Sequence, residues 1–228
     1  MKLLLTNDDG IDAEGLAALE HAAMQLGETH VIAPAGPQSG VSHAVTTHRG
    51  LKIEPHGPRR HAIHGTPADC VRMGLHRLLP DANWVLSGIN HGGNLGADFY
   101  YSGTVAAVRE GVLHGWPGIA VSHYRHKGRE FDWQRATTLI LPVLRELISR
   151  GPERGVFWNI NLPHLADGEA DPEVVYCPLD PTPLPLSYRH EDEAYHYNGD
   201  YFGRQRVPGC DVETCFGGRI AVTRCQLL

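Results

Sequence analysis

The chain has 228 residues, 42% apolar and 20% charged, with a formal net charge of −6, which suits one large α/β domain of an ordinary globular protein. Net negative charge excludes a general nucleic-acid-binding face, which needs a basic stripe, yet a single cation can reverse the field locally and admit a small anion. No apolar run reaches the ~20 residues that a membrane span requires.

The opening MKLLLTNDDG holds only a short apolar run. A signal peptide needs an apolar region of ~7–15 residues, so residues 3–6 read instead as the first strand of a cytoplasmic protein. Residues 13–26 follow as a helix, with Leu16, Leu19, Ala23 and Leu26 at helical spacing and Gly27 as its stop. Residues 29–33 (THVIA) form a second strand, and residues 34–42 a loop rich in Gly, Pro and Ser. Residues 51–54 and 61–64 make a short antiparallel insert around the Gly57-Pro58 turn. Thr66 caps a helix that runs from Pro67 to Leu79.

Residues 84–86 are another buried strand, 87–102 a long glycine-bearing loop, 103–114 a helix and 118–122 a strand. A long amphipathic helix lies within 131–150, and 156–162 (VFWNINL) is a further strand. Strand–helix alternation predicts an α/β fold: a Rossmann-like, mostly parallel sheet with helices on both faces. From about Pro163 the texture changes. PLDPTPLPLSYRHEDEAYHYNGDY, rich in proline, tyrosine and charge, ends the alternation and predicts an extended C-terminal hairpin or arm that could pack on a second subunit, with a solvated long loop as the plainer reading.

In parallel sheets ligands bind beyond the carboxyl ends of the strands. That rule gathers three loops on one edge: Asp8 and Asp9 after the first strand, Ser39 after the second, and Asn90 after the strand at 84–86. Adjacent carboxylates repel, which raises the pKa of one unless something offsets the charge, and no Lys or Arg lies between Lys2 and Arg49 to do so. A hard cation such as Mg²⁺ or Mn²⁺ takes oxygen ligands of this kind together with substrate phosphate. Asp8 and Asp9 would bring charge, and Ser39 and Asn90 neutral oxygens. The plainer reading of NDDG is a turn.

The segment from Ser87 to Gly111, SGINHGGNLGADFYYSGTVAAVREG, adds an anion site. Its glycines let backbone N–H groups approach an anion, and Ser102-Gly103-Thr104 opens a helix whose N-terminus suits phosphate. Asn90 and Asn94, four apart, can divide cation and phosphate between them. There is no P-loop, no GxGxxG after the first strand, no GxSxG and no HExxH. His123 and His126 read as solvated loop histidines rather than a metal pair, as do His61 and His64. The odd set Cys70, Cys177, Cys210, Cys215 and Cys225 reads as free thiols, with a zinc pair at Cys210 and Cys215 the lesser alternative.

LLTNDDGIDAEGL, APAGPQSGVSHAVT, GTPADCVRMGL and SGINHGGNLGADFYYSGTVAAVREG, in this order, resemble the SurE family of survival-protein nucleotidases, strongly over residues 1–123 and only loosely near the C-terminus. The resemblance implies a divalent-metal-dependent phosphomonoesterase acting on nucleoside 5′- and 3′-monophosphates, with one Mg²⁺ or Mn²⁺ per subunit. It implies metal ligands at Asp8, Asp9, Ser39 and Asn90, and a phosphate-contacting loop at Asn94, Ser102, Gly103 and Thr104. Asp8 or Asp9 then orients or deprotonates the attacking water, with an Asp nucleophile as the rival mechanism.

The expected organisation is a phosphatase core over residues 1–162, with arm, hairpin and closing strand over 163–228 in the same domain. The family commonly continues beyond the segment matching 219–228, so the expectation is a homodimer through the proline-rich arm rather than a tetramer. The alternatives are a metal-dependent phosphatase of polyphosphate or sugar phosphates, and a phosphate- or nucleotide-binding protein without turnover. No nucleic-acid or membrane partner is expected.

Overall fold

The computed structural model describes residues 1–126, 128–166 and 168–227; Lys127, and Asp167 and Leu228 of the C-terminal region, lie outside the described residues. In chain order the first elements are β1 (Lys2–Thr6), α1 (Glu14–Ala23), β2 (Glu28–Pro34), β3 (Ile53–Pro55), β4 (Arg60–Ile63), α2 (Pro67–Met73) and β5 (Trp84–His91). Then come α3 (Asp98–Tyr101), α4 (Gly103–Leu113), β6 (Gly118–His123), α5 (Trp133–Ser149) and β7 (Val156–Leu162). The C-terminal region holds β8 (Val174–Tyr176), β9 (Tyr188–Glu191), β10 (Ala194–Tyr197), α6 (Asp211–Phe216) and β11 (Ile220–Gln226).

Leu3, Leu4 and Leu5 of β1 are fully buried. Alternation along the strand sends Leu3 and Leu5 to one face and Leu4 to the other. A strand apolar on both faces belongs in the middle of a parallel sheet, and β1 pairs in parallel with both β2 and β5. One nine-stranded sheet results, ordered β3-β4-β2-β1-β5-β6-β7-β11-β8. Neighbours from β4 to β7 are parallel, while β3 and β11 run antiparallel to β4 and β7. Helices α1 and α5 cover one face through Leu16, Leu19, Leu139, Ile140 and Leu144. Helices α2 and α4 cover the other, where Val71 and Ala107 meet Leu4 and Val85. The expected Rossmann-like sheet with helices on both faces is therefore the observed one.

Thr66 caps α2 as expected, its hydroxyl accepting from Asp69 N while Asp69 Oδ2 accepts from Thr66 N. The α-helix stops at Met73, however, and residues Gly74–Leu78 form a π-helical turn. Helix α5 begins at Trp133 because Asp132 caps it, Oδ1 accepting from Arg135 N at 2.8 Å.

The largest departure concerns β5, which continues to His91 where a loop was expected from Ser87. Its register against β6 shifts between Ser87 and Asn90, and pairing resumes as Asn90 with Ser122 and His91 with His123. Gly88 makes the shift possible: it sits at φ +136°, and a Cβ there would strike the carbonyl of Val121. Glycine in the pattern hid a strand that pairing with β6 restores.

In the C-terminal region β9 and β10 form the expected antiparallel hairpin, exposed along its whole length. β8 and β11 return to the main sheet. Among the described residues no helix is long and apolar enough to cross a membrane.

Candidate active site

The carboxyl edge of the parallel strands carries a cavity of about 390 Å³. Asp8, Asp9, Ser39, Asn90, Asn94, Ser102 and Gly103 all line it. Seven residues singled out from sequence thus converge, from three strand-end segments and the start of α4. Such a volume is of small-ligand size.

Asp8 is the most enclosed carboxylate of the cavity, 7% exposed. Its Oδ1 accepts the hydroxyl of Thr104, in the first turn of α4. Burial pushes the Asp8 pKa up to about 6; the Thr104 hydrogen bond works against this rise and the neighbouring Asp9 charge adds to it. Gly103 allows the close approach: a Cβ at 103 would lie 2.9 Å from Asp8 Oδ2 and 3.0 Å from Asp8 Cβ. The N-terminal turn of α4 therefore rests against a carboxylate, with its positive end toward the cavity.

Thr104 itself is fully buried and does not line the cavity. Its hydroxyl holds Asp8, whereas the resemblance had implied contact with phosphate. Ser102 caps α4, its Oγ accepting from Val105 N at 3.0 Å.

Asp9 is held differently. Its Oδ2 accepts the backbone N–H of His91 at 3.2 Å, and the His91 ring Nδ1 lies 3.1 Å from the same oxygen. That hydrogen bond raises the pKa of His91, against a smaller opposing effect of burial.

The loop carrying Ser39 is tied to β1's end and to α4. Gln38 N donates to Asp8 O at 2.7 Å, and His43 Nε2 lies 2.8 Å from Glu110 Oε2. Asn90 donates its amide N–H to Gly92 O at 2.8 Å, so its side-chain oxygen is the end that could meet a cation.

Asn94 is pinned by a buried polar set. Its N donates to Asn161 Oδ1 at 2.8 Å, and its Nδ2 to Ser122 Oγ at 2.7 Å. Its carbonyl accepts from the side chains of Asn159 and Asn161. The glycine-rich loop is thereby fastened to the ends of β6 and β7.

Among the polar groups lining the cavity, Asp8, Asp9, Ser39 and Asn90 offer two carboxylates, a hydroxyl and an amide oxygen. An all-oxygen set of this kind fits a hard cation. Among the described residues no three His, Cys, Asp or Glu side chains cluster as a metal site. All five cysteines are buried and unpaired.

Other cavity residues were not singled out from sequence: His91, Asp98, Tyr101, Tyr124, Arg125 and Tyr201. Tyr124 and Arg125 follow β6, so the strand-edge rule extended to that strand would have found them. Tyr201 comes from the C-terminal region, where no pattern announced it; its hydroxyl donates to Asp98 Oδ2 at 2.9 Å beside the buried Arg204. The expectation of a solvated His123 is corrected. It is 5% exposed, packs on Phe131, and burial lowers its pKa to about 4.

The family model described as "Survival protein SurE" matches residues 3–179. A protein of Nostoc sp. is 48% identical over 228 residues, covering 100% of both chains. A Brucella anthropi protein named "5'-nucleotidase SurE" is 39% identical over 217 residues, covering 92% of this chain and 84% of its own. The solved structure of the SurE protein from Aquifex aeolicus superposes with a TM-score of 0.87 at 30% identity, covering 100% of this chain and 94% of that one.

Proposed function

The chain belongs to the SurE family, and on that footing we propose that it is a divalent-cation-dependent phosphomonoesterase hydrolysing nucleoside 5′- and 3′-monophosphates to nucleoside and phosphate. One observation carries the reading. Two carboxylates, the oxygens of Ser39 and Asn90, and the N-terminus of α4 share one cavity. A pure anion binder gains nothing from the two carboxylates, whereas a metal-assisted hydrolase needs them. The relative named "5'-nucleotidase SurE" supports a nucleotide as the substrate.

Asp8, Asp9, Ser39 and Asn90 would hold one Mg²⁺ or Mn²⁺. When bound, such a cation neutralises phosphoryl charge and activates water. Each other part belongs to the chain. Ser102 and Gly103, at the positive end of α4, face the incoming phosphate and favour its charge. Asn94 lies at the cavity wall in an orientation fixed by Asn159, Asn161 and Ser122. Thr104 keeps Asp8 from rotating away. Asp8 or Asp9 orients the attacking water or accepts its proton.

The exposed hairpin of β9 and β10, with Tyr188, Tyr195 and Tyr197 outward, supports association with a second copy of the chain, hence a homodimer. Five unpaired thiols support a reducing, cytoplasmic location.

The test is phosphate release from 5′- and 3′-nucleoside monophosphates, sugar phosphates and short polyphosphate, with Mg²⁺, Mn²⁺ or EDTA. Metal-dependent release strongest on nucleotides is the expected result. Release from the other phosphates alone keeps the site and changes the substrate. Nucleotide binding without release under any metal would replace the enzyme by a binding protein.

A further inference from the structure

Asp9 differs from Asp8 in how it is held, and the difference lies in a residue that neither the sequence analysis nor the relatives' names single out. His91 meets one oxygen of Asp9 twice: its backbone N–H donates at 3.2 Å, and its ring Nδ1 lies 3.1 Å away in an ion-pair contact. Any residue but proline at 91 would bring the backbone bond. The ring donor depends on histidine.

The ring is also held in place. Its centroid lies 4.8 Å from Trp133 and 5.5 Å from Phe131, both edge-on, and those two rings stack on each other at 4.7 Å. Trp133 is fixed in turn, its Nε1 donating to Glu14 Oε2 at 3.1 Å at the start of α1. A ring walled by two aromatics has little rotamer freedom. The side chain is nonetheless 33% exposed, so the sleeve opens toward the cavity that His91 lines.

We propose that His91 is a positioning residue for Asp9: its ring, set by Phe131 and Trp133, fixes the rotation of the Asp9 carboxylate so that Oδ2 is spent on His91 and Oδ1 is left for a divalent cation. The inference rests on the function proposed above. Groups that orient a ligand in this way typically contribute a factor of ~10–100 in metal affinity. Two contacts on one oxygen stop the carboxylate from swinging its second oxygen out of the site, so the cation meets a preorganised donor.

The experiment compares wild type with His91→Leu, which fills the sleeve without a donor, and His91→Asn, whose amide N–H stands where ring Nδ1 does. Mn²⁺ alone is titrated calorimetrically into each metal-free protein, and thermal unfolding is recorded to show that each is folded. His91→Leu is expected to weaken Mn²⁺ binding by roughly tenfold or more, and His91→Asn to recover most of that loss. Wild-type affinity in His91→Leu overturns the proposal. So does equal weakening in both variants, since that reports lost packing rather than a lost donor. If wild type itself neither binds Mn²⁺ nor releases phosphate, the proposed function falls as well.

Discussion

Two regions of this chain are both built from extended backbone and behave as opposites. β1 buries Leu3, Leu4 and Leu5 completely and ends in the carboxylates of the site. The β9–β10 hairpin leaves every residue exposed, with Tyr195 at 73%. β1 is held by two parallel neighbours and by helices on both faces, so its end is fixed from every side. The hairpin has one ladder of its own, and a two-stranded ladder in water is marginal. Chemistry can be placed only where the backbone is over-determined, and in this molecule that is the carboxyl edge of the sheet. The hairpin is suited instead to being covered.

The sharpest way to break this contrast is at the edge itself. Asp8→Asn should fold and lose at least about a hundredfold in metal-dependent phosphate release, measured at saturating metal, as expected when a group that stabilises developing charge is removed. Leu4→Ala, beneath the site, should cost about 2–5 kcal/mol of stability in denaturant titration, since a fully buried leucine leaves a cavity.

A third measurement uses pH. The folded pKa of Asp8 is raised to about 6 from 3.8, so its contribution to stability is fully present below pH 4 and is lost as pH rises through 6. Two pKa units correspond to about 3 kcal/mol. Metal-free Asp8→Asn should therefore exceed wild type in stability above pH 7, by up to that amount, and the two curves should converge near pH 4. A constant offset at all pH values would mean that burial does not raise this carboxylate.

Gly103→Ala brings a methyl group against Asp8 Cβ and Oδ2 and should destabilise by about 1–3 kcal/mol while lowering activity. The smallest effect belongs to the hairpin. Tyr195→Ser should change monomer stability by no more than about 0.5 kcal/mol, and should shift a concentration-dependent dimer equilibrium in ultracentrifugation toward monomer. Loss of stability without any shift in association would invert the contrast.

Much of this was legible in the residues. The run of leucines, the Thr66-Pro67 helix start and the loops beyond the strand ends follow from local chemistry. Together they place Asp8, Asp9, Ser39 and Asn90 on one edge. Thr104 shows the limit. Its place in the helix-opening triplet was correct, but whether its hydroxyl faced phosphate or Asp8 depended on a residue 96 positions away. The extension of β5 to His91 was hidden for a similar reason. Glycine at 88 reads as loop, and only pairing with β6 makes it strand.

What the sequence by itself determined is the alternation of elements, the family resemblance and the donor types available to a cation, because periodicity, caps and side-chain chemistry are local properties. What only the tertiary structure decided is the burial that raises Asp8, the ring that holds Asp9, and the return of β8 and β11 to the sheet. Each of these comes from segments distant in the chain meeting at one place, and burial, hydrogen bonding and pairing exist only after they meet.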